Sequence, residues 1–240
     1  MHTSESIYHH NEQSLNGYIA YDDTHQIKRP GVLVLHDWSG RNAFAMQQAE
    51  MLAKQGYVGF AADLYGDGKI GETTDEKQTL MMPLVENRGH LLERIQAAFD
   101  ALLACPAVDP ARTAAIGFCF GGLCALDLAR SNTALSGAVS FHGLLSRPEH
   151  TPIMPFQTKL LILHGHDDPM VPPAQVQAFC DEMTEAKADW QLNIYGQTTH
   201  AFTNPDANDS KLGTQYNPQT ATRAFESMDV FLTHLFSTAS

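Results

Sequence analysis

The run Ala115-Ile116-Gly117-Phe118-Cys119-Phe120-Gly121-Gly122-Leu123 sets a thiol in a small-residue turn between two apolar stretches. A side chain that must attack a substrate suits such a turn, because glycine neighbours let backbone segments close in and strained dihedrals are tolerated there. A helix starting just after the thiol aims the positive end of its dipole at it and at any oxyanion formed beside it. The same field lowers a thiol's pKa. Gly-x-Cys-x-Gly is therefore the pattern of a nucleophile elbow with cysteine in place of serine. The competing reading is a buried structural cysteine in a glycine-rich turn.

A nucleophile needs a base, an acid to orient that base, and donors for the oxyanion. The apolar run Lys159-Leu160-Leu161-Ile162-Leu163-His164 leads into Gly165-His166-Asp167-Asp168-Pro169, which puts Asp168 just past a strand end. Trp190 to Tyr195 leads through Gly196 to Thr199-His200-Ala201-Phe202. The chain order Cys119, Asp168, His200 is that of a Ser/Cys-Asp-His triad on a parallel sheet, and all three fall beyond strand ends, where open α/β sheets bind ligands. Asp168 is preferred to Asp167 because the residue before a proline is held extended. Singly, Asp168 could be a turn former and His200 a surface histidine; the shared order makes coincidence the weaker account.

His164, His166, Asp167 and Asp168 also invite a test for Zn²⁺, but no third histidine follows closely and His164 falls within a buried strand. No metal and no cofactor are expected. The loop after Gly31-Val32-Leu33-Val34-Leu35-His36 normally supplies one oxyanion donor. The backbone N–H of Trp38 takes that role, with the N–H of Phe120 as the other. His142, Tyr65, Arg88 and Phe202 are the candidate pocket residues.

The elements that position these residues alternate. Strands are expected over Leu15 to Tyr21 (an edge), Gly31 to His36, Tyr57 to Ala62, Thr113 to Gly117, Ser136 to Phe141, Lys159 to His164 and Trp190 to Tyr195. Helices are expected from Asn42 to Gly56, over roughly 76–104 with breaks at Pro83 and near Gly89, and over Phe120 to Arg130, Pro173 to Ala186 and Gln219 to Phe236. The loop from Gly66 to Gly71 is the expected mobile element. Alternating strands and helices give an α/β fold with a mostly parallel sheet and helices on both faces, as one domain over 1–240. The short connection between Phe141 and Lys159 leaves no room for a large lid.

With 43% hydrophobic and 18% charged residues, the composition suits a globular chain with a substantial core. The formal net charge of -12 argues against a nucleic acid or anionic membrane partner. Met1 to Ser6 lacks a basic region leading into an apolar one, and four cysteines in apolar or helical stretches suit reduced thiols; a cytoplasmic protein is expected. A monomer or small homo-oligomer acting on a small molecule fits these bounds.

With these residues assembled, the chain resembles the dienelactone hydrolase family of α/β-hydrolases. The resemblance rests on Val32 to Asn42, Gly56 to Tyr65, Ile116 to Gly122, His164 to Pro172 and Gly196 to Phe202. It implies that Cys119 attacks an ester or lactone carbonyl, with His200 relaying the proton and Asp168 orienting His200. A family glutamate that restrains the resting thiol is matched here by Asp37, one methylene shorter. The two family arginines that hold the dienelactone carboxylate are unmatched: the first region reads Asp75-Glu76-Lys77-Gln78, and Asn204 stands at the second. The expected substrate is thus a different small ester or lactone. The alternative function is a non-catalytic or redox-thiol binding protein that keeps the fold.

Overall fold

A computed structural model describes residues 1–24 and 27–237. The chain divides into two compact units, residues 1–116 and 117–240.

In the first unit, β1 (His2–His10) and β2 (Gln13–Tyr21) form an antiparallel hairpin in register from His2 opposite Tyr21 to His10 opposite Gln13. Asn11 turns the chain at φ +53°, a left-handed conformation that asparagine tolerates better than most residues. β1 lacks a sequence signature because polar residues occupy both of its faces. Its presence corrects the expected edge: β2 is flanked by β1 on one side and pairs antiparallel with β4 (Val58–Ala61) on the other. β3 (Arg29–Leu35) runs parallel to β4 and is buried throughout, which matches its nearly continuous apolar run.

Between them, α1 (Ala43–Lys54) starts at Asn42, whose side chain accepts the Ala45 N–H at 3.2 Å. It packs so closely on β4 that a Cβ at Gly59 would lie 2.7 Å from the Ala49 Cα. α2 (Thr74–Glu86) opens with a capping box between Thr73 and Glu76. The expected break at Pro83 does not occur. Pro83 and Thr79 are both exposed, so water can satisfy the carbonyl that the proline leaves unpaired. The break comes at Asn87, which caps α3 (Arg88–Leu103) through the His90 N–H. β5 (Val108–Phe118) follows and contains the boundary between the units.

The second unit continues with α4 (Phe120–Arg130), β6 (Gly137–Phe141), β7 (Lys159–Gly165), α5 (Pro173–Glu185) and β8 (Trp190–Tyr195). It ends with the short hairpin β9 (Asn208–Asp209) and β10 (Thr214–Gln215), then α6 (Pro218–Ser237). β6, β7 and β8 are parallel, with Phe141 opposite Leu163 and Gly165 opposite Tyr195. The Phe118 and Phe141 rings stack at 4.7 Å, and Phe225 of α6 closes against Phe141 at 5.1 Å. Residues 142–158 form loops and turns and carry no lid. Arg130 joins the far end of α4 to α5 by a bidentate pair with Glu182, at 2.8 and 2.9 Å, and also reaches Asp127 and the Leu145 carbonyl.

Candidate active site

Cys119 sits between β5 and α4 with φ +55° and ψ -114°, a region that non-glycine residues rarely adopt. The turn is locked around it. The Cys119 N–H donates to the Phe141 carbonyl at 3.0 Å, and the Cys119 carbonyl accepts the Gly122 N–H at 3.0 Å. Two glycines make that closure possible. A Cβ at Gly117 would overlap the Gly121 carbonyl and lie 2.7 Å from the Gly122 nitrogen, and one at Gly122 would meet the Gly143 Cα at 2.7 Å. Phe120 is the first residue of α4, so its amide belongs to the helix turn whose N–H groups have no intrahelical partner.

Asp168 and His200 come from the turns after β7 and β8. His200 Nδ1 and Asp168 Oδ2 are 2.7 Å apart, and both side chains are at most 1% exposed. The other Asp168 oxygen accepts the Met170 N–H at 2.8 Å, which fixes the carboxylate in its turn. Asp167 is exposed, as is His166. Backbone bonds from His166 to Tyr195 and from Asp167 to Thr198, both 2.9 Å, tie the acid turn to the histidine loop.

The backbone of His200 is held by a segment that sequence reasoning passed over. Its N–H donates to the Gly213 carbonyl and its carbonyl accepts the Gln215 N–H, each at 3.0 Å, so the β9–β10 hairpin grips the histidine from both sides. Gly213 lies against Pro169 of the acid turn, where a Cβ would come 2.8 Å from the proline Cδ.

Burial by itself pulls the His200 imidazole down, because the cation is desolvated. The negative charge of Cys119 and the Asp168 bond outweigh that effect and push it up to about 10. Nε2 makes no hydrogen bond of regular geometry, yet Cys119 is the strongest influence raising this imidazole. His142 packs edge-on to His200 at 5.2 Å and bonds Thr203 Oγ1 at 2.8 Å. Burial and the His200 charge hold His142 well below the usual imidazole range, so it is neutral. Phe202 is fully buried, with its ring edge-on to both His142 and Tyr195.

The remaining candidates lie in the first unit. Asp37 is buried and its carboxylate accepts the Ser39 N–H at 2.8 Å, which shapes the turn after β3. Trp38 is half-buried. Its carbonyl accepts the Tyr65 hydroxyl at 2.8 Å, and the Lys77 ammonium lies 5.4 Å from its ring centroid. Arg88 is half-buried at the start of α3.

Asp63 enters the sequence reading only within the Gly56 to Tyr65 stretch that carries the resemblance; its buried carboxylate gathers four backbone N–H groups, from Asn16, Tyr65, Gly66 and Gly68, at 2.8 to 3.0 Å. The loop expected to be mobile is therefore anchored on it, and the Gly71 N–H bonds the Ser39 carbonyl at 2.9 Å as well.

A strand–Cys–helix elbow followed by an acid and a histidine beyond later parallel strands defines an α/β-hydrolase. The matching structures bear this out. A dienelactone hydrolase-like promiscuous phosphotriesterase from metagenomic libraries superposes with a TM-score of 0.93, 34% identity and 98% of each chain covered. A protein of Aquifex aeolicus named as a carboxymethylenebutenolidase is 29% identical over 233 residues, 94% of this chain and 96% of its own. A Bradyrhizobium protein named as a 2-oxo-3-(5-oxofuran-2-ylidene)propanoate lactonase is 30% identical over 183 residues, 72% of this chain and 73% of its own. Residues 15–236 match the dienelactone hydrolase family, and the chain belongs to it. It is a carboxylic ester hydrolase, of the kind that opens lactones and esters.

Proposed function

We propose that the chain, acting as one domain over 1–240, hydrolyses a small carboxylic ester or lactone through a Cys119–His200–Asp168 triad and an acyl-enzyme. The observation that carries this reading is the buried 2.7 Å bond from His200 to Asp168, with His200 electrostatically coupled to a cysteine on a strained elbow. The Cys119 thiolate adds to the carbonyl carbon, and the oxyanion accepts the N–H groups of Phe120 and Trp38. The His200 imidazolium gives its Nε2 proton to the departing alkoxide as the C–O bond breaks, leaving a thioester. Water then adds to the thioester while His200 takes its proton. The tetrahedral intermediate collapses, the acid is released and the thiolate returns. Asp168 stays ionised and holds the Nδ1–H tautomer throughout. Asp37 is assigned to restrain the resting thiol.

The pocket residues in this reading are His142, Tyr65, Arg88 and Phe202. Lys77 and Asn204 stand in place of the two family arginines, and a lysine cannot reproduce a bidentate clamp. A neutral ester or lactone fits better than a substrate carrying a carboxylate.

The test is a panel of p-nitrophenyl esters, lactones and thioesters run against the wild type, Cys119→Ala and Cys119→Ser. Turnover should fall at least about 10³-fold in Cys119→Ala. Equal turnover in the wild type and that variant rejects the triad. Background turnover in both, with Cys119 readily oxidised, supports the redox-thiol alternative instead. The metagenomic neighbour favours adding a p-nitrophenyl phosphotriester to the panel, since the same thiolate could attack phosphorus.

A further inference from the structure

A second cluster of chemically capable side chains lies in the first unit and takes no part in the proposed reaction. His10 ends β1, and His90 and Glu93 lie in the first two turns of α3. The ligand atoms of all three lie within 4.8 Å of one another. His10 Nε2 is 3.2 Å from Glu93 Oε2, and His90 Nδ1 is 3.8 Å from the same oxygen. The two imidazole rings are 5.0 Å apart between centroids.

Tetrahedral Zn²⁺ with bonds of 2.0–2.2 Å sets neighbouring ligand atoms about 3.4 Å apart. Two of the cluster's edges are already near that spacing. The third, within 4.8 Å, needs a shift of up to about 1.4 Å, which the rotamers of half-exposed His90 and exposed Glu93 can supply. The spacing i, i+3 keeps His90 and Glu93 on one face of the helix. The helix start beneath them is fixed by the Asn87 cap.

The neighbouring cation is already committed: the Arg94 guanidinium donates to the Leu64 and Tyr65 carbonyls at 2.6 and 3.2 Å. The Asn11 amide, 3.3 Å from His10 Nε2, would give way to a metal. Two imidazoles and one carboxylate, with a fourth position left to water, suit Zn²⁺ and neighbouring divalent transition metals rather than Ca²⁺ or Mg²⁺.

We propose that His10, His90 and Glu93 bind one zinc-class divalent cation and so clip the end of the N-terminal strand to α3. The clip is structural: it joins chain positions 80 residues apart and stabilises the folded state by mass action.

The test uses the untagged full chain carrying Cys119→Ala, so that the elbow thiol cannot compete for metal. Zn²⁺ titration by calorimetry should show one site per chain and a Zn²⁺-dependent rise in Tm. His10→Ala, His90→Ala and Glu93→Gln, each added singly, should weaken that site more than about tenfold. Co²⁺ should give tetrahedral visible bands that vanish in His90→Ala. Unchanged Zn²⁺ affinity in the three variants overturns the proposal. So does a loss of stability in them that Zn²⁺ does not modulate, which would mark the cluster as an ion pair only.

Discussion

His200 and His142 are two buried imidazoles lying edge-to-face, and between them they carry one positive charge, on His200. The difference comes from their partners. Asp168 and the charge of Cys119 favour the cation on His200, whereas His142 has a hydroxyl for a partner and a cationic neighbour. A group raised from 6.5 to about 10 contributes stability that is fully present below the lower value and is lost as pH rises through the upper one. The His200 contribution is therefore complete below about 6.5, declines from there through neutral pH, and is gone above about 10. Cys119→Ala removes the largest influence raising it. Nitrogen NMR of the ring should show a cation persisting well above neutral pH in the wild type and a markedly lower midpoint in the variant. Identical midpoints would mean that thiol and imidazole are uncoupled.

At the scale of elements, the loops matter more than the strands they leave. Asp63 holds together β2 and the turn after β4 by accepting N–H groups from both, and burial keeps water from replacing them. Asp63→Ala strands these donors, so it should cost about 3 kcal/mol or more, read as a lower urea midpoint with an unchanged slope. Little of this was legible in the sequence. A carboxylate that serves backbone amides leaves no side-chain pattern, so Asp63 reads as part of the stretch that carries the resemblance and not as an anchor. The same blindness hid β1, whose polar faces carry no periodicity, and the β9–β10 hairpin, whose strands are two residues each. The buried parallel strands were legible because uninterrupted runs such as Val32 to Leu35 and Leu160 to Leu163 have few other uses. The ends of those runs located Asp168 and His200, and their spacing across the two loops is supplied by tertiary backbone bonds that no local pattern encodes.

For the whole molecule, 27 acidic against 15 basic side chains leave the chain strongly anionic, which favours solubility and repels polyanions. Among the described residues no helix is long and apolar enough to cross a membrane. No disulfide joins the four cysteines, all of which are among the described residues. The match to the dienelactone hydrolase family, over residues 15–236, takes in nearly the whole chain.

The left-handed backbone of Cys119 has a thermodynamic consequence for how such a protein tolerates change. A non-glycine residue at that φ costs on the order of 1–3 kcal/mol, so the elbow is a position where the chain is less stable than it could be. Cys119→Gly and Cys119→Ala both abolish the thiol; glycine relieves the strain but loses about 0.5–1 kcal/mol more backbone entropy on folding. The glycine variant should match or exceed the alanine variant in urea midpoint, and a glycine variant less stable by about 0.5–1 kcal/mol would show the elbow to be unstrained. Inactivating drift at this residue would then be met with equal or greater heat tolerance, and only selection for turnover would keep the strained form.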